Sequence, residues 1–478
     1  MIASVPRWLP LALITLAAFW LRTDDLGKRP MHADEANQGV KTGYLLESGS
    51  YVFDPQDHHG PTLYYAALPI AWLRGERSLA TLSETSLRLV PVLAGTAAVV
   101  LLALLANPIG YWPALCAAAF MAVSPPAVYY SRYFIQETLL VAFTLGTFLC
   151  VQRWWRSGHL GWALGAGACV GLMQSTKAST PLFLVAAGIA LLVARPAPPK
   201  SDRRERAIAL ALLTALVVAI MFYSSFGTNL PGLRDALAVY SPAAERATGD
   251  SAHVKPWWYY LRLFGWHQEG GLLWQQLTFS LLAVIGAVAA FAQHRPFLRS
   301  VVIYTVLITI VLSVTPYKTP WHAIHLVPGM AVLAAGAVTI FRRLWLGAAL
   351  VFAVMFSQFR QTKLVAFLRP ADARNPYAYV HSSPDVLKFR ALTDAALARN
   401  PSGVIRVISE EYWPLPWYFR GLSQVGYWSQ PPADCDGALV VASADQSEAV
   451  SARLKGRYRE SYLGLRPGFL CVVFTPEP

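Results

Sequence analysis

Eleven apolar runs of near-spanning length limit what this 478-residue chain can fold into. They lie near residues 8–21, 86–106, 111–129, 134–152, 160–175, 179–194, 207–225, 272–292, 300–315, 322–341 and 343–359. A helix needs roughly 17–25 apolar residues to cross bilayer hydrocarbon, fewer where aromatic residues at its ends reach the interface. Hydrophobic residues make up 55% of the chain and charged residues only 14%, more apolar surface than a soluble core conceals. The pattern predicts a polytopic α-helical membrane protein of about eleven transmembrane helices. No small-residue cleavage site follows residues 8–21, so the first run reads as a helix that stays in the protein.

The net charge of +13 is placed for a membrane and not for nucleic acid, because many of the cations sit in short loops between apolar runs. With the N-terminus cytoplasmic, the inner loops hold Arg7, Arg153, Arg156, Arg195, Lys200, Arg203, Arg204, Arg206, Arg295, Arg299, Arg342 and Arg343. They hold only two acids, Asp202 and Glu205. The opposite orientation would place this basic set outside. The outer side then receives a first loop (22–85), a second loop (226–271) and a polar tail. The expected division is a transmembrane domain over 1–359 and an extracytoplasmic α/β domain over 360–478. In the tail, 403–409, 437–443 and 469–474 read as strands, and 384–399 and 445–455 as helices. Cys435 and Cys471 lie there as a candidate disulfide, while Cys116, Cys150 and Cys169 fall inside apolar runs.

Chemistry concentrates in the first outer loop. Asp34 and Glu35 fall in the first turn of a helix expected to run to about Glu47 and stop at Gly49. Acids there are favoured by the helix dipole, which alone explains them. Asp57-His-His-Gly-Pro61 follows in the same loop, and His58 and His59 are suited to donate to a phosphate or to bind a metal with Asp34 or Glu35. His32 and Asp57 add further ligand types, without a recognisable metal spacing. The apolar stretch 61–73 is too short to span and reads as an interfacial helix, with Tyr64, Tyr65 and Trp72 at headgroup depth. Trp257-Trp-Tyr-Tyr260 and Trp266 in the second outer loop read the same way, as an aromatic belt.

Three cations stand in short outer turns, where positive charge is disfavoured: Arg132, Lys177 and Lys318, the last shortly before His322. Any one of them reads as a snorkelling side chain. Together they suggest a shared anionic ligand, for which a lipid phosphate fits. Glu137 is expected to pair with Arg132. A carboxylate base and a phosphate-binding set describe attack by a hydroxyl on a carbon activated by phosphate. No P-loop or GxGxxG motif is present, which agrees with a donor delivered by the membrane.

At these residues the chain resembles the GT-C glycosyltransferases that use polyprenyl-phosphate sugars, of the protein O-mannosyltransferase and aminoarabinose-transferase type. Asp34-Glu35 matches the family's acidic pair in the first outer loop, and His59-Gly-Pro-Thr-Leu-Tyr-Tyr65 its basic-Pro-Pro-Leu-Tyr-Tyr-like element. Arg88 in Leu-Arg-Leu-Val-Pro91 resembles the start of its next membrane helix. The tail is similar to a prokaryotic branch of flippase-associated membrane proteins through Asn375-Pro-Tyr-Ala-Tyr-Val380, Ser383-Pro-Asp385, Glu411-Tyr-Trp-Pro-Leu-Pro-Trp-Tyr418 and Gly426-Tyr-Trp428. The resemblance implies that Asp34 is the base, that Glu35 assists, that the sugar carbon is inverted, and that Lys177 and Lys318 face the carrier phosphate. His59 stands where the aminoarabinose enzymes carry Lys. No Trp-Trp-Asp-Tyr-Gly run appears, which argues against asparagine-linked oligosaccharyl transfer.

The expected activity is transfer of a hexosyl or pentosyl unit from a polyprenyl-phosphate donor to an acceptor hydroxyl on a protein, lipid or glycan. No cofactor is required by this reading, with a divalent cation left open at Asp34, Glu35 and His59. The rival is a non-catalytic carrier-lipid binder or flippase accessory using the same cations. The absence of a mid-membrane acid relay favours the enzyme.

Overall fold

The computed structural model describes residues 6–57, 59–195, 203–249, 253–341 and 343–477. The chain forms two compact units that interleave in sequence. The first comprises Met1–Asp24, Ser50–Ala67 and Arg88–Arg369, the second Asp25–Gly49, Leu68–Leu87 and Pro370–Pro478. The division departs from a simple cut near residue 360. Two pieces that lie largely in the first loop, Asp25–Gly49 and Leu68–Leu87, belong with the tail, and Met31, Leu45 and Leu82 on them are buried.

The first unit is helical. Each of the eleven expected runs overlaps a helix, although 111–129 is broken at Ser124 into Tyr111–Val123 and Pro125–Tyr130. Among the described residues five helical segments are long and apolar enough to cross a membrane: Glu84–Ile109, Arg204–Tyr223, Pro296–Val314, Pro320–Val338 and Leu344–Leu368. The others are shorter or less apolar, such as Trp8–Thr23, Leu160–Gln174 and Thr180–Ala194. The run expected at 272–292 starts late, because Leu272–Gln275 is a strand (β2) paired antiparallel with Trp266–Glu269 (β1), and the helix covers Leu277–Ala292.

Between apolar helices the main attraction is close packing, so small residues set the approach. A Cβ on Gly167 would lie 2.2 Å from the Ala211 carbonyl oxygen, and one on Gly286 only 1.8 Å from that of Leu333. Gly286→Ala must therefore push Leu277–Ala292 off Val327–Val338. A loss of about 1–3 kcal/mol is expected, read as a lower melting temperature of the detergent-solubilised protein.

The second unit carries a five-stranded sheet in the order β4-β3-β5-β7-β6. The strands are Ile405–Ile408 (β3), Val425–Trp428 (β4), Leu439–Ser443 (β5), Tyr458–Arg466 (β6) and Phe469–Pro476 (β7). β3 runs parallel to β4 and β5, and β7 antiparallel to β5 and β6. Ile408, Val440, Ala442, Val472 and Phe474 form one apolar core with Val450 and Cys435. The three expected strands are present. β4 and β6 carry no uniform apolar face and were not anticipated. The expected helix at 445–455 shortens to Ser447–Ser451. Cys435 and Cys471 are buried free thiols, so the candidate disulfide is not formed.

Candidate functional site

In the second unit the acid pair opens the helix Ala33–Ser48, which ends at Gly49 in a left-handed conformation, φ 71°. His32 is the N-cap. Its Nδ1 accepts the Asp34 backbone N–H at 3.0 Å, and Glu35 Oε2 accepts the His32 N–H at 3.2 Å, a reciprocal capping box. Because Nδ1 is an acceptor, Nε2 carries the proton and donates to the Tyr379 carbonyl at 3.1 Å.

The two acids differ in surroundings. The Asp34 side chain is 47% exposed, with Oδ2 3.7 Å from His32 Nδ1. Glu35 is fully buried and receives the Arg29 guanidinium at 3.2 and 3.1 Å. The Asp34 carboxylate therefore faces solvent, and Glu35 holds the turn that carries it. This differs from the expectation that Glu35 assists the chemistry or binds a metal, since its oxygens already accept from Arg29 and His32.

The tail motif clamps the same helix. A Cβ on Gly39 would meet the Trp417 ring at 2.7 Å, so only glycine admits it. Trp417 Nε1–H donates to Glu84 Oε1 at 2.7 Å, and Arg420 lies over the Trp417 ring at 4.1 Å. The Met31 N–H donates to the Tyr418 hydroxyl at 2.8 Å.

His381 packs edge-on to His32, ring centroids 5.7 Å apart. Burial, with Arg29 and His32 adding repulsion, pushes its pKa well below 6.5, although Glu35 opposes this. Below pH 6.5 the unfolded chain therefore binds a proton that the folded unit refuses, and stability falls as pH falls. The limiting slope is about 1.4 kcal/mol per pH unit. Melts of wild type and His381→Asn between pH 7.5 and 5.5 check this; the variant is expected to show the shallower loss.

In the first unit a polar cluster is built around Lys177. Its ammonium pairs with Glu137 Oε1 and lies 3.1 Å from His322 Nε2. His322 Nε2 is 3.9 Å from the same carboxylate oxygen. The Tyr260 hydroxyl lies 3.2 Å from His322 Nδ1. The segment His59-Gly60-Pro61 is laid on the Lys177 turn. Gly60 N–H donates to Thr176 O and Thr62 N–H to Ser175 O, both at 3.1 Å, and a Cβ on Gly60 would come 2.1 Å from Ser175 O. Gly60 thereby permits the close approach that brings His59 within electrostatic reach of His322.

Not every predicted residue joins this cluster. Glu137 pairs with Lys177, in place of the expected Arg132. Arg132 donates to the Leu21 and Arg22 carbonyls at 3.3 Å and to that of Asp24, and lies over Phe367 at 4.5 Å. Those carbonyls end the helix Trp8–Thr23 and need donors from outside it. Lys318 likewise donates to the carbonyls of Lys255, at 3.1 Å, and Thr315. Arg88 and Tyr64 are fully buried, Tyr64 against Tyr51 with centroids 4.7 Å apart. Tyr65 Oη is 2.5 Å from Ser225 Oγ. The outward, headgroup-depth position expected of Tyr64 is thus replaced by packing among helices. His58 lies outside the described residues. Among the described residues no group of three or more His, Cys, Asp or Glu is arranged to hold a metal.

An apolar cavity of about 470 Å³ lies among the helices of this unit, lined by Leu102, Val141, Phe148, Tyr304 and Val332, with His325 in its wall. His325 is within electrostatic reach of Lys177.

The profile of the family described as dolichyl-phosphate-mannose-protein mannosyltransferase matches residues 69–224. Among solved structures, ArnT from Cupriavidus metallidurans in the apo state is 15% identical with a TM-score of 0.67, covering 98% of this chain and 97% of that one. The same ArnT bound to undecaprenyl phosphate gives 15% and 0.67, with 97% of each chain covered. The chain shares the fold of these ArnT structures over nearly its whole length. A second GT-C protein, the oligosaccharyltransferase AglB from Archaeoglobus fulgidus in complex with an inhibitory peptide and a dolichol-phosphate, is 14% identical with a TM-score of 0.57. That alignment covers 95% of this chain and 72% of AglB. No curated protein matches. The resemblance to GT-C glycosyltransferases is borne out at the level of the fold.

The sequence reading missed Arg29, Tyr260 and Trp417 as members of these clusters. Arg29 and Tyr260 carried no local signal, and Trp417 stood inside a motif with no assigned contact.

Proposed function

We propose that the chain is an integral-membrane glycosyltransferase moving one sugar from a polyprenyl-phosphate carrier to an acceptor hydroxyl on the extracytoplasmic face. In this reading all eleven apolar helices cross the bilayer, the N-terminus is cytoplasmic and the α/β unit is outside. The observation that carries the proposal is the Lys177 ammonium, paired with Glu137 and held near an apolar cavity whose lining suits a polyprenyl tail. That ArnT was solved with undecaprenyl phosphate supports the same ligand class.

Asp34 takes the proton of the acceptor hydroxyl. The resulting oxygen attacks the anomeric carbon from the face opposite the phosphate, with inversion. The carbon–oxygen bond to phosphate breaks, and the phosphate leaves with the electron pair. Lys177 and His59 stabilise its growing charge.

The test is extraction of carrier lipids from cells making wild type or Asp34→Asn, followed by mass spectrometry. Accumulation of one sugar-phosphate lipid with the variant is expected and would name the donor. Unchanged pools at equal protein levels would sink the reading.

A further inference from the structure

Tyr260 belongs to the aromatic run Trp257–Tyr260, yet it is fully buried while Trp257 and Trp258 are exposed. Its hydroxyl has one proton, which it donates to the Thr319 carbonyl at 3.1 Å. The same oxygen lies 3.2 Å from His322 Nδ1, so in that contact Nδ1–H is the donor. Thr319 Oγ1, at 3.5 Å from Nδ1, is the weaker alternative partner. With its proton on Nδ1, the imidazole presents a lone pair at Nε2, and the Lys177 ammonium donates to it at 3.1 Å. Glu137 Oε1 takes a second N–H of that ammonium. An ammonium has three, and the third has no partner among the described residues.

We propose that Tyr260 is a positioning residue for an anionic ligand of Lys177. By holding His322 in its Nδ1–H form, it makes Nε2 an acceptor and turns the third N–H of Lys177 toward a phosphate oxygen. The opposite tautomer would set Nε2–H against the ammonium, two donors facing each other, and Lys177 would swing away. Glu137 cannot correct that alone, because one acceptor leaves the ammonium free to rotate about a single contact. The inference rests on Lys177 being the phosphate contact in the proposed function, and it adds a residue whose effect passes through His322.

The test is a double-mutant cycle on the full chain in detergent, with undecaprenyl phosphate as the titrated probe and inorganic phosphate as a parallel arm. Tyr260→Phe keeps the ring and removes only the hydroxyl. It is expected to weaken undecaprenyl-phosphate binding about tenfold in the wild-type background and to have no further effect in His322→Gln. In transfer assays it is expected to raise the donor KM and leave kcat unchanged.

Equal losses in both backgrounds would mean a merely structural tyrosine and overturn the proposal, as would an unaffected Tyr260→Phe. Failure of the wild type to bind undecaprenyl phosphate, or equal affinity for inorganic phosphate, would remove the lipid phosphate as the ligand and overturn it also. Asp34-dependent transfer without Tyr260–His322 coupling sinks this inference alone. Coupling in binding with unchanged carrier-lipid pools in Asp34→Asn sinks only the transferase reading.

Discussion

Asp34→Asn is expected to lower the rate of sugar transfer by about 10²–10⁴-fold, the range of a lost general base, and to leave carrier-lipid binding and melting temperature unchanged. The structure explains why the substitution isolates the chemistry. Asp34 is held through its backbone N–H, which His32 Nδ1 accepts, and asparagine keeps that donor. Its side chain is about half exposed and supports no core. Glu35→Gln makes the contrast, since Glu35 closes the capping box and pairs with Arg29; stability is expected to suffer there before turnover does. Initial rates with a polyprenyl-phosphate sugar, measured beside melts of the same preparations, separate the two. Full activity in Asp34→Asn would remove the base from the mechanism.

Arg29→Met should carry the largest cost in stability. The Arg29 side chain is 8% exposed and that of Glu35 0%, so the ion pair is buried. Removing the arginine leaves a carboxylate without its counter-charge in a low-dielectric interior, a loss of about 3–5 kcal/mol. Adding Glu35→Gln in the same chain should recover much of it, because the neutral amide oxygen still accepts the His32 N–H. Hydrogen exchange over residues 25–49 reads the effect: fast exchange in Arg29→Met, slowed again in the double variant. Equal exchange in wild type and Arg29→Met would show that the pair contributes nothing to the turn.

The sequence made some of this legible for physical reasons. Apolar runs of this length mark segments that leave water, so each of the eleven overlaps a helix, and the first-turn acids with Gly49 bounded the helix Ala33–Ser48 to within a residue. The strands β3, β5 and β7 were legible because they are short runs rich in β-branched and other apolar residues, broken in β3 only by Arg406. Partners distant in sequence were not. Glu137 stands five positions from Arg132 and forty from Lys177, and proximity along the chain suggested the wrong pair. The carbonyls that engage Arg132 and Lys318 have no sequence signature, because every residue carries one. Tyr260 was hidden by its neighbours: Trp257 and Trp258 are exposed aromatics of the expected sort, and nothing in the run distinguishes the one that turns inward.

The acid helix also imposes an order on biogenesis. Met31 is held by Tyr418, His32 by Tyr379, and Gly39 lies beneath Trp417, so residues made at the start of synthesis wait for residues made near its end. A ribosome adding about 5–20 residues per second needs on the order of 20–80 seconds to make the 387 residues between Met31 and Tyr418. Through that interval Asp34 lacks the scaffold that presents it. A nascent or prematurely terminated chain can thus form its first helices without fixing Asp34 in place, and that side chain is presented only once the tail has folded against residues 25–49.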